Sequence, residues 1–337
     1  MTKRIHPSLG LPGDVVSYTP NDVIQTPEEK EVAKEPIKVQ VPTAEIVNIF
    51  AHRQWRAGML LADLIWSQCI PLQDEIVGEF GAGTGLPSIA SAKFGKARFT
   101  LSTDYDSPSL ISILTKNVKD NVSTDQWQSR IRVIGHTWGK SIGDVEDAFP
   151  YSLKADKFDV LLLADCIWDD LSHNWLIKSI VHLLAKNQDS RVYMVSGLHT
   201  GREKIIAFIR RMHKAGLKLT QFPQTSRMEQ SLWPALEEDE SIKQKQELDR
   251  LRNDEAICDS PELVMECELA WHEEEENFPT AIETESGAQQ RQWHSSQARL
   301  SGQRRSFVEL ERPEERKEAA GVHLRNRWIT FMAFSWQ

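Results

Sequence analysis

The 337-residue sequence has few cysteines and no long apolar segment. Its four cysteines include no C-x-x-C pair, which argues against a disulfide framework and a structural zinc site and favours reduced thiols. No stretch approaches the roughly 18–20 uninterrupted apolar residues that span a bilayer, and the first residues lack the apolar run and cleavage site of a secretory signal. Hydrophobic residues make up 40% of the chain, which excludes wholesale disorder. We therefore expect a cytoplasmic or nuclear protein without membrane contact.

Positive charge is also in deficit, since 40 basic and 49 acidic side chains give a net charge of −9. Such a balance argues against binding to phosphate backbones. However, residues 237–285 alone hold 18 acidic and four basic side chains, so the remainder carries +5. The charge distribution therefore gives no firm argument for or against nucleic-acid binding. We expect the Glu273–Glu276 run to be solvated, and we hypothesise that the acidic segment attracts a basic protein partner by long-range electrostatics.

Short apolar strands alternate with helical patterns between residues 47 and 222. The run Phe158–Ala164 is almost continuously apolar, as expected for a parallel strand covered on both faces. This alternation predicts a doubly wound α/β sheet whose ligands bind at the carboxyl ends of the strands. The predicted strands are 75–80, 98–103, 130–135, 158–164, 191–196, 217–222 and 327–336, and the predicted helices are one or two within 47–65, then 87–94, 108–121 (with Ser107 as N-cap), 171–185 and 202–215 (ended by Gly216).

The chain length alone suggests about two domains, but the patterns favour one. Residues 1–46 lack sustained periodicity and are predicted to be a loosely ordered arm. Residues 47–224 and 311–337 are predicted to form a single domain. The intervening residues 225–310 are acidic, Gln-rich and Ser-rich, and are predicted to be a largely disordered insertion with one charged helix at Leu236–Arg252.

A glycine-rich turn follows the first predicted strand, in the sequence EFGAGTGLP (Glu79–Pro87). Glycines allow the backbone to turn tightly and let a ligand approach closely. A dinucleotide fingerprint would place a further glycine where Leu86 stands. Asp104 ends the next strand, where a carboxylate can bind both hydroxyls of a ribose. An NAD site and an S-adenosylmethionine site both use that carboxylate. The G-x-G-x-G-L form of the turn favours S-adenosylmethionine.

The glycine turn and the following TDYDSPSLISILTKNVKDN resemble the nucleotide-binding half of a seven-strand, S-adenosylmethionine-dependent methyltransferase. More specifically, they resemble the lysine methyltransferase-like family 16 and its fungal nicotinamide N-methyltransferase-like branch, which includes N-terminal and lysine methyltransferases of translation elongation factor 1-alpha. The resemblance covers about residues 47–222 and 312–337. Four other segments contribute to it: HRQWRAGMLLADLI, GHTWG, ADCIWDDLSH (Ala164–His173) and NRWITFMAFSW.

The resemblance implies a Rossmann-like seven-strand sheet with helices on both faces, an antiparallel last strand and a long insertion before it. It implies that the glycine turn lies against the methionine and ribose of the cofactor. Asp104 would bind the ribose hydroxyls, while Tyr105 and Trp138 would flank the adenine, and Trp55 would close the pocket. The implied cofactor-binding residues are Trp55, Gly81, Ala82, Gly83, Gly85, Asp104, Tyr105, Trp138 and Ala164.

Asp165 is the residue that we expect to support the chemistry. An amine attacks a sulfonium methyl group only when deprotonated, whereas a free lysine has a pKa near ~10.4. A carboxylate at the strand edge can orient the amine and help it lose its proton to solvent. Trp168 is predicted to form a wall of the amine pocket, and His199 is another candidate lining residue.

Each of these residues also has a purely structural alternative. Asp104 and Asp165 could serve as turn or helix-capping carboxylates. The three tryptophans could belong to the core, and His199 could be an ordinary loop histidine. Cys166 lacks a base partner and is predicted to be a small buried residue.

The leading hypothesis is a monomeric N-methyltransferase that acts on a protein lysine or N-terminal amine, with a translation factor among the candidate substrates and with no bound metal. A small-molecule, nicotinamide-like N-methyltransferase is the first alternative. The second is a non-catalytic adaptor that binds the cofactor and recruits partners through the insertion.

Overall fold

The computed structural model describes residues 6–21, 35–43, 50–153, 157–223, 263–270, 279–283, 289–295, 299–307 and 323–337. Its helices are α1 (Arg56–Trp66), α2 (Leu86–Lys93), α3 (Pro108–Asn121), α4 (Gly143–Ala148), α5 (His173–Leu183) and α6 (Arg202–Lys214). Its strands are β1 (Ser8–Leu9), β2 (Val15–Tyr18), β3 (Ile37–Gln40), β4 (Gln54–Trp55), β5 (Ile76–Phe80), β6 (Phe99–Asp104), β7 (Ile131–Gly135), β8 (Val160–Ala164), β9 (Arg191–Gly197), β10 (Leu217–Thr220), β11 (Met265–Leu269), β12 (Thr280–Glu283), β13 (Gln289–Ser295), β14 (Leu300–Ser306) and β15 (Trp328–Trp336). None of these helices is both long and apolar enough to cross a bilayer.

The central sheet has the strand order β14-β11-β15-β9-β8-β5-β6-β7, and β10 pairs with the second half of β15. Strands β5 to β9 are parallel, and β15 is antiparallel to β9. Alternate residues of β5 and β8 enter two different buried apolar clusters, because successive side chains of a strand point to opposite faces. One cluster includes α1 and α2, the other α5 and α6. The doubly wound α/β prediction, with its antiparallel last strand, is confirmed.

The apolar pattern predicts one or two helices within residues 47–65, and α1 is one of them. It begins only at Arg56, after the short strand β4. Residues 44–49 lie outside the described residues. Phe50 has a φ of 55°, which is incompatible with a right-handed helix. Ser107 occupies the N-cap of α3, but its hydroxyl contacts Ser109 rather than the helix backbone.

The described parts of the arm and of the insertion contain short strands. A second sheet of order β12-β13-β2-β3 joins the two segments, with β13 parallel to β2. Val16 and Val39, on β2 and β3, are completely buried, and this burial accounts for order where the sequence showed no periodicity. The predicted helix Leu236–Arg252 and the Glu273–Glu276 run lie outside the described residues. The proposed boundaries of the arm and insertion remain predictions.

The free edge of β3 is closed by two asparagines of α3. The Asn117 side chain accepts a hydrogen bond from Gln40 N at 2.8 Å and donates one to Gln40 O at 2.9 Å. Asn121 makes the same pair of bonds with Lys38, at 3.0 and 2.7 Å. Side-chain amides thus replace the neighbouring strand that an exposed edge would otherwise attract.

Two buried ion pairs attach the insertion to the core. Arg299 contacts both oxygens of Asp63 on α1, at 2.9 and 2.7 Å, and Tyr18 of the arm donates a hydrogen bond to the same carboxylate. Glu266 of β11 binds both terminal nitrogens of Arg202 on α6, at 2.6 and 2.7 Å. These four charged side chains are at most 1% exposed, so each depends on its partner to compensate for lost hydration.

Candidate functional site

A cavity of about 400 Å³ opens at the carboxyl edge of the parallel strands. The loops after β5, β6, β7, β8 and β9 all contribute to its wall, together with the segment that leads into α1. This is the edge where ligands of doubly wound sheets bind. The principal lining residues are Phe50, Arg53, Gln54, Trp55, Glu79, Gly81, Ala82, Gly83, Asp104, Tyr105, His136, Trp138, Ala164, Asp165, Trp168, Asp169, Trp175, His199 and Thr200.

Ten of the eleven predicted site residues line this cavity, and Gly85 does not. Gly85 lies behind the turn, at the N-cap of α2. Phe50 and Glu79 also line the cavity, and neither is among the residues predicted from the sequence. The sequence does indicate a role for Glu79, because a carboxylate inside a buried apolar strand is costly unless it has a partner or a function. The sequence does not indicate a role for Phe50, because its apolar surroundings have a helical pattern.

The three glycines of the turn have left-handed backbones, with φ values of 68° at Gly81, 54° at Gly83 and 81° at Gly85. A Cβ at Gly81 would lie 3.2 Å from the ring of Trp138, and one at Gly85 would lie 2.5 Å from Leu114. A Cβ at Gly83 would have no atom within 4 Å. Gly83 therefore leaves space on the cavity side, whereas Gly85 allows close packing of α3.

We expect Gly85→Ala to lower the free energy of unfolding more than Gly83→Ala does. Both substitutions impose left-handed strain of about 1–2 kcal/mol. Gly85→Ala adds a clash with the fully buried Leu114, which should cost about 1–3 kcal/mol more. Urea denaturation measures the difference. Equal losses for the two variants would contradict the packing role assigned to Gly85.

Asp104 holds the glycine turn from the end of β6. Its Oδ2 accepts a hydrogen bond from Gly83 N at 2.6 Å, and its Oδ1 accepts one from Tyr105 N at 2.6 Å. Burial raises its pKa to about 6, despite these two bonds. Each carboxylate oxygen can accept a further hydrogen bond. Asp104 therefore serves as a turn carboxylate, and the same geometry leaves it able to bind a pair of hydroxyls in the cavity.

Glu79 is a buried carboxyl group on the floor of the cavity. Its Oε2 accepts hydrogen bonds from Ser88 N, at 2.9 Å, and from the Ser88 hydroxyl. Its Oε1 has no partner among the described residues. Burial raises the pKa of Glu79 to about 8, so the group is largely protonated at neutral pH. A buried, unpartnered oxygen beside a cavity points to a polar ligand group.

The raised pKa of Glu79 makes stability depend on pH. Below its ordinary pKa of 4.5 both the folded and unfolded states are protonated, and above about 8 both are ionised. Between these values only the folded state keeps the proton, so its contribution to the free energy of unfolding falls as pH rises. From pH 5.5 to 7 the wild type should lose about 2 kcal/mol relative to Glu79→Gln. Urea denaturation of both proteins at the two pH values tests this, and a constant difference would exclude it.

Asp165 follows β8 with a φ of 53°, a rare backbone for a non-glycine residue. Its Oδ1 accepts a hydrogen bond from Gly197 N at 2.7 Å. The N-cap of α5 is Ser172, so the helix-cap alternative for Asp165 is wrong. Burial raises the pKa of Asp165, and the nearby His199 opposes that shift. Strain at a carboxylate in a cavity is typical of functional sites.

Four aromatic side chains surround the Asp165 end of the cavity, and we call Phe50, Trp55, Trp168 and His199 the aromatic group. The Trp55 and His199 rings stack with centroids 5.1 Å apart and planes inclined by 12°. Phe50 meets Trp168 edge-on at 4.8 Å, and its carbonyl accepts a hydrogen bond from Trp55 Nε1 at 2.9 Å. The group lines the cavity rather than the core.

Cys166 has no nucleophilic role in this geometry. Its thiol is buried and donates to Phe80 O at 3.1 Å, and burial raises its pKa well above the ordinary value. A neutral thiol is a poor nucleophile and metal ligand. Among the described residues, no cluster of three or more His, Cys, Asp or Glu could hold a metal ion.

A family model and curated relatives both identify this chain as similar to lysine methyltransferases. A family model described as lysine methyltransferase matches residues 36–215. The protein N-terminal and lysine N-methyltransferase efm7 of Schizosaccharomyces pombe is 34% identical over 52% of this chain and 66% of its own length. The protein of the same name from Kluyveromyces lactis is 28% identical over 60% of this chain and 77% of its own. The chain thus spans just under two thirds of the Schizosaccharomyces pombe relative.

Among solved structures, precorrin-6y C5,15-methyltransferase from Geobacter metallireducens is 12% identical to this chain. The superposition covers 48% of this chain and 72% of that protein, with a TM-score of 0.35.

Proposed function

The chain belongs to the lysine methyltransferase family, and on that premise we propose that it is an S-adenosylmethionine-dependent N-methyltransferase. Its acceptor would be a lysine or N-terminal amine of a protein, which is also what the names of the two relatives state of those proteins. One observation carries the proposal. A single cavity joins the Asp104 and Gly83 cradle to a buried carboxylate, Asp165, beside the aromatic group.

The cradle fits the cofactor. The open space over Gly83 leaves room for a ligand against the backbone, and Asp104 can accept hydrogen bonds from two ribose hydroxyls. Tyr105 and Trp138 offer ring faces for the adenine. The unpartnered Oε1 of Glu79 is available to a polar group of the methionine portion. The bound cofactor would supply a methyl group on a positively charged sulfur.

Asp165 and the aromatic group are suited to hold the acceptor amine. The Asp165 carboxylate is fixed by Gly197 N and can accept a hydrogen bond from an amine, which orients the nitrogen lone pair. The aromatic faces exclude water and can contact a cationic ammonium group. A site that is dry and oriented in this way favours the deprotonated amine that attacks the methyl group.

The exposed aromatic side chains at the rim of the cavity are suited to a protein acceptor. Tyr105 is 46% exposed, Phe50 43% and Trp175 56%, and all three also line the cavity. Exposed aromatic side chains around an opening are typical of a surface that contacts a partner beyond the cavity itself. The resemblance described above makes translation elongation factor 1-alpha the first acceptor to test, and we propose that the enzyme acts on it in the cytoplasm as a monomer.

The test incubates the full chain with methyl-labelled S-adenosylmethionine and a fungal lysate, followed by mass spectrometry of labelled proteins. We expect one protein band to carry label on a lysine or N-terminal amine. Label found only in a small amine would replace the proposal by a small-molecule N-methyltransferase. Cofactor binding without transfer to any acceptor would favour the adaptor.

A further inference from the structure

The stacked pair Trp55–His199 is held from both sides by segments outside the matched residues 36–215. Trp55 lies in β4, which pairs with β1 of the arm, and Ser8 is its direct register partner. The next residue, Arg56, donates its backbone N–H to Pro7 O at 3.0 Å. The arm therefore fixes the backbone that carries Trp55.

The insertion fixes the loop that carries His199. This loop follows β9 and ends at Arg202, the first residue of α6. The Arg202 guanidinium is completely buried, binds both oxygens of Glu266 and lies 5.3 Å from the ring of Phe307. Arg305 of β14 contacts the same carboxylate. The α6 end of the His199 loop is thus anchored to two strands of the insertion.

The other end of the loop depends on the insertion through β15. Leu198 donates its backbone N–H to Trp328 O at 3.2 Å, at the start of β15. The first half of β15 pairs with β11 of the insertion, where Glu266 opposes Thr330. By contrast, the cofactor cradle is built on β5 and β6, which do not pair with β11 or β14. A disturbance at Glu266 should therefore reach the acceptor end of the cavity first.

We propose that Glu266 is a positioning residue of the acceptor site: through Arg202 it holds His199 against Trp55, so that the insertion completes the amine pocket. The inference rests on the proposed function. Glu266 itself does not line the cavity, and it acts only through the loop. Removing its charge would take from the buried Arg202 the carboxylate that contacts both of its terminal nitrogens, which is unfavourable. The α6 end of the loop would then shift, and the stacked pair would open.

The test compares Glu266→Gln with Asp63→Asn in the full chain. Asp63→Asn is the matched control, because it removes the carboxylate of the other buried ion pair between insertion and core, Asp63–Arg299. We expect Glu266→Gln to raise KM for recombinant translation elongation factor 1-alpha about tenfold, while the Kd for S-adenosylhomocysteine stays within about twofold of the wild type. Asp63→Asn should lower stability without changing either constant.

A readout independent of activity is the NMR signal of the His199 ring, assigned by its loss in His199→Gln. Stacking on Trp55 shifts this signal upfield, and Glu266→Gln should move it downfield. Glu266→Asp keeps the charge but shortens the side chain, so it should show a smaller downfield shift than Glu266→Gln; if Glu266→Gln does not fold, this smaller shift relative to wild type is the test, and its absence counts against the inference. An unchanged shift, or an equal change in Asp63→Asn, would overturn the inference. A wild type without methyl transfer would instead refute the proposed function, and the NMR comparison would still decide the positioning role.

Discussion

Asp165→Asn is expected to lower kcat at least about 100-fold, within the range for loss of a positioned acid–base group. In the wild type Gly197 N donates a hydrogen bond to Asp165 Oδ1 at 2.7 Å. Asparagine keeps an oxygen that can accept this bond, so the turn should be preserved. What is lost is the negative charge that orients the amine and favours its attack. The Kd for S-adenosylhomocysteine should stay close to that of the wild type, because Asp165 lies at the acceptor end. Single-turnover methyl transfer and calorimetric binding give the two values.

The control for this variant is Asp169→Asn. Asp169 lines the same cavity and accepts a hydrogen bond from Leu171 N at 3.1 Å. A loss of only a few-fold is expected, because it lies on the loop beyond the strand edge. If both variants lost activity equally, the effect would be one of net charge in the cavity. If Asp165→Asn retained full kcat, Asp165 would have only the structural role of holding Gly197.

Asp104→Ala is expected to weaken binding of S-adenosylhomocysteine at least about 100-fold. Two hydrogen bonds from ribose hydroxyls to a carboxylate are lost, each worth about 1.5–3 kcal/mol, and the turn loses its bond to Gly83 N. Because the pKa of Asp104 is raised to about 6, wild-type affinity should also decline as pH falls below that value. Isothermal titration calorimetry across this pH range measures both effects.

Asp106→Ala is the comparison for this variant. Asp106 is an exposed carboxylate two residues further along and does not line the cavity. Its removal should leave the Kd and its pH dependence unchanged. Equal weakening by the two substitutions would mean that the general negative charge of this edge binds the ligand, and would exclude the specific role of Asp104.

The parts of the site that sequence could predict are those determined by local backbone chemistry. A glycine turn follows one buried strand, and Asp104 ends the next strand. When the two strands are parallel, the turn and Asp104 lie at the same edge of the sheet. The position of Gly85 outside the cavity lining could not be predicted, because a left-handed glycine looks the same in sequence whether the missing Cβ makes room for a ligand or for Leu114. Only the packing of α3 distinguishes these cases.

The arm and insertion could not be predicted for a different reason. Their strands are short, and their partners are far away in sequence, so no local period indicates them. Tyr18, Asp63 and Arg299 form one buried group, yet nothing in the sequence around any of them indicates the other two. The described strands of the insertion also explain why some of its charges are internal, such as Glu266, although the segment as a whole looks solvated.

The pairing of β2 with β13 affects the order in which the molecule can fold. Asp14, just before β2, contacts Arg291 of β13 across 277 residues of chain. At a typical synthesis rate, β2 must wait on the order of tens of seconds on the ribosome before its partner emerges. During that time the β2–β3 pair presents an unpaired edge on β2, while the Asn117 and Asn121 side chains can already cover the edge of β3. The nascent chain would therefore be prone to aggregation until β13 has emerged, and chaperones have most to protect during that period.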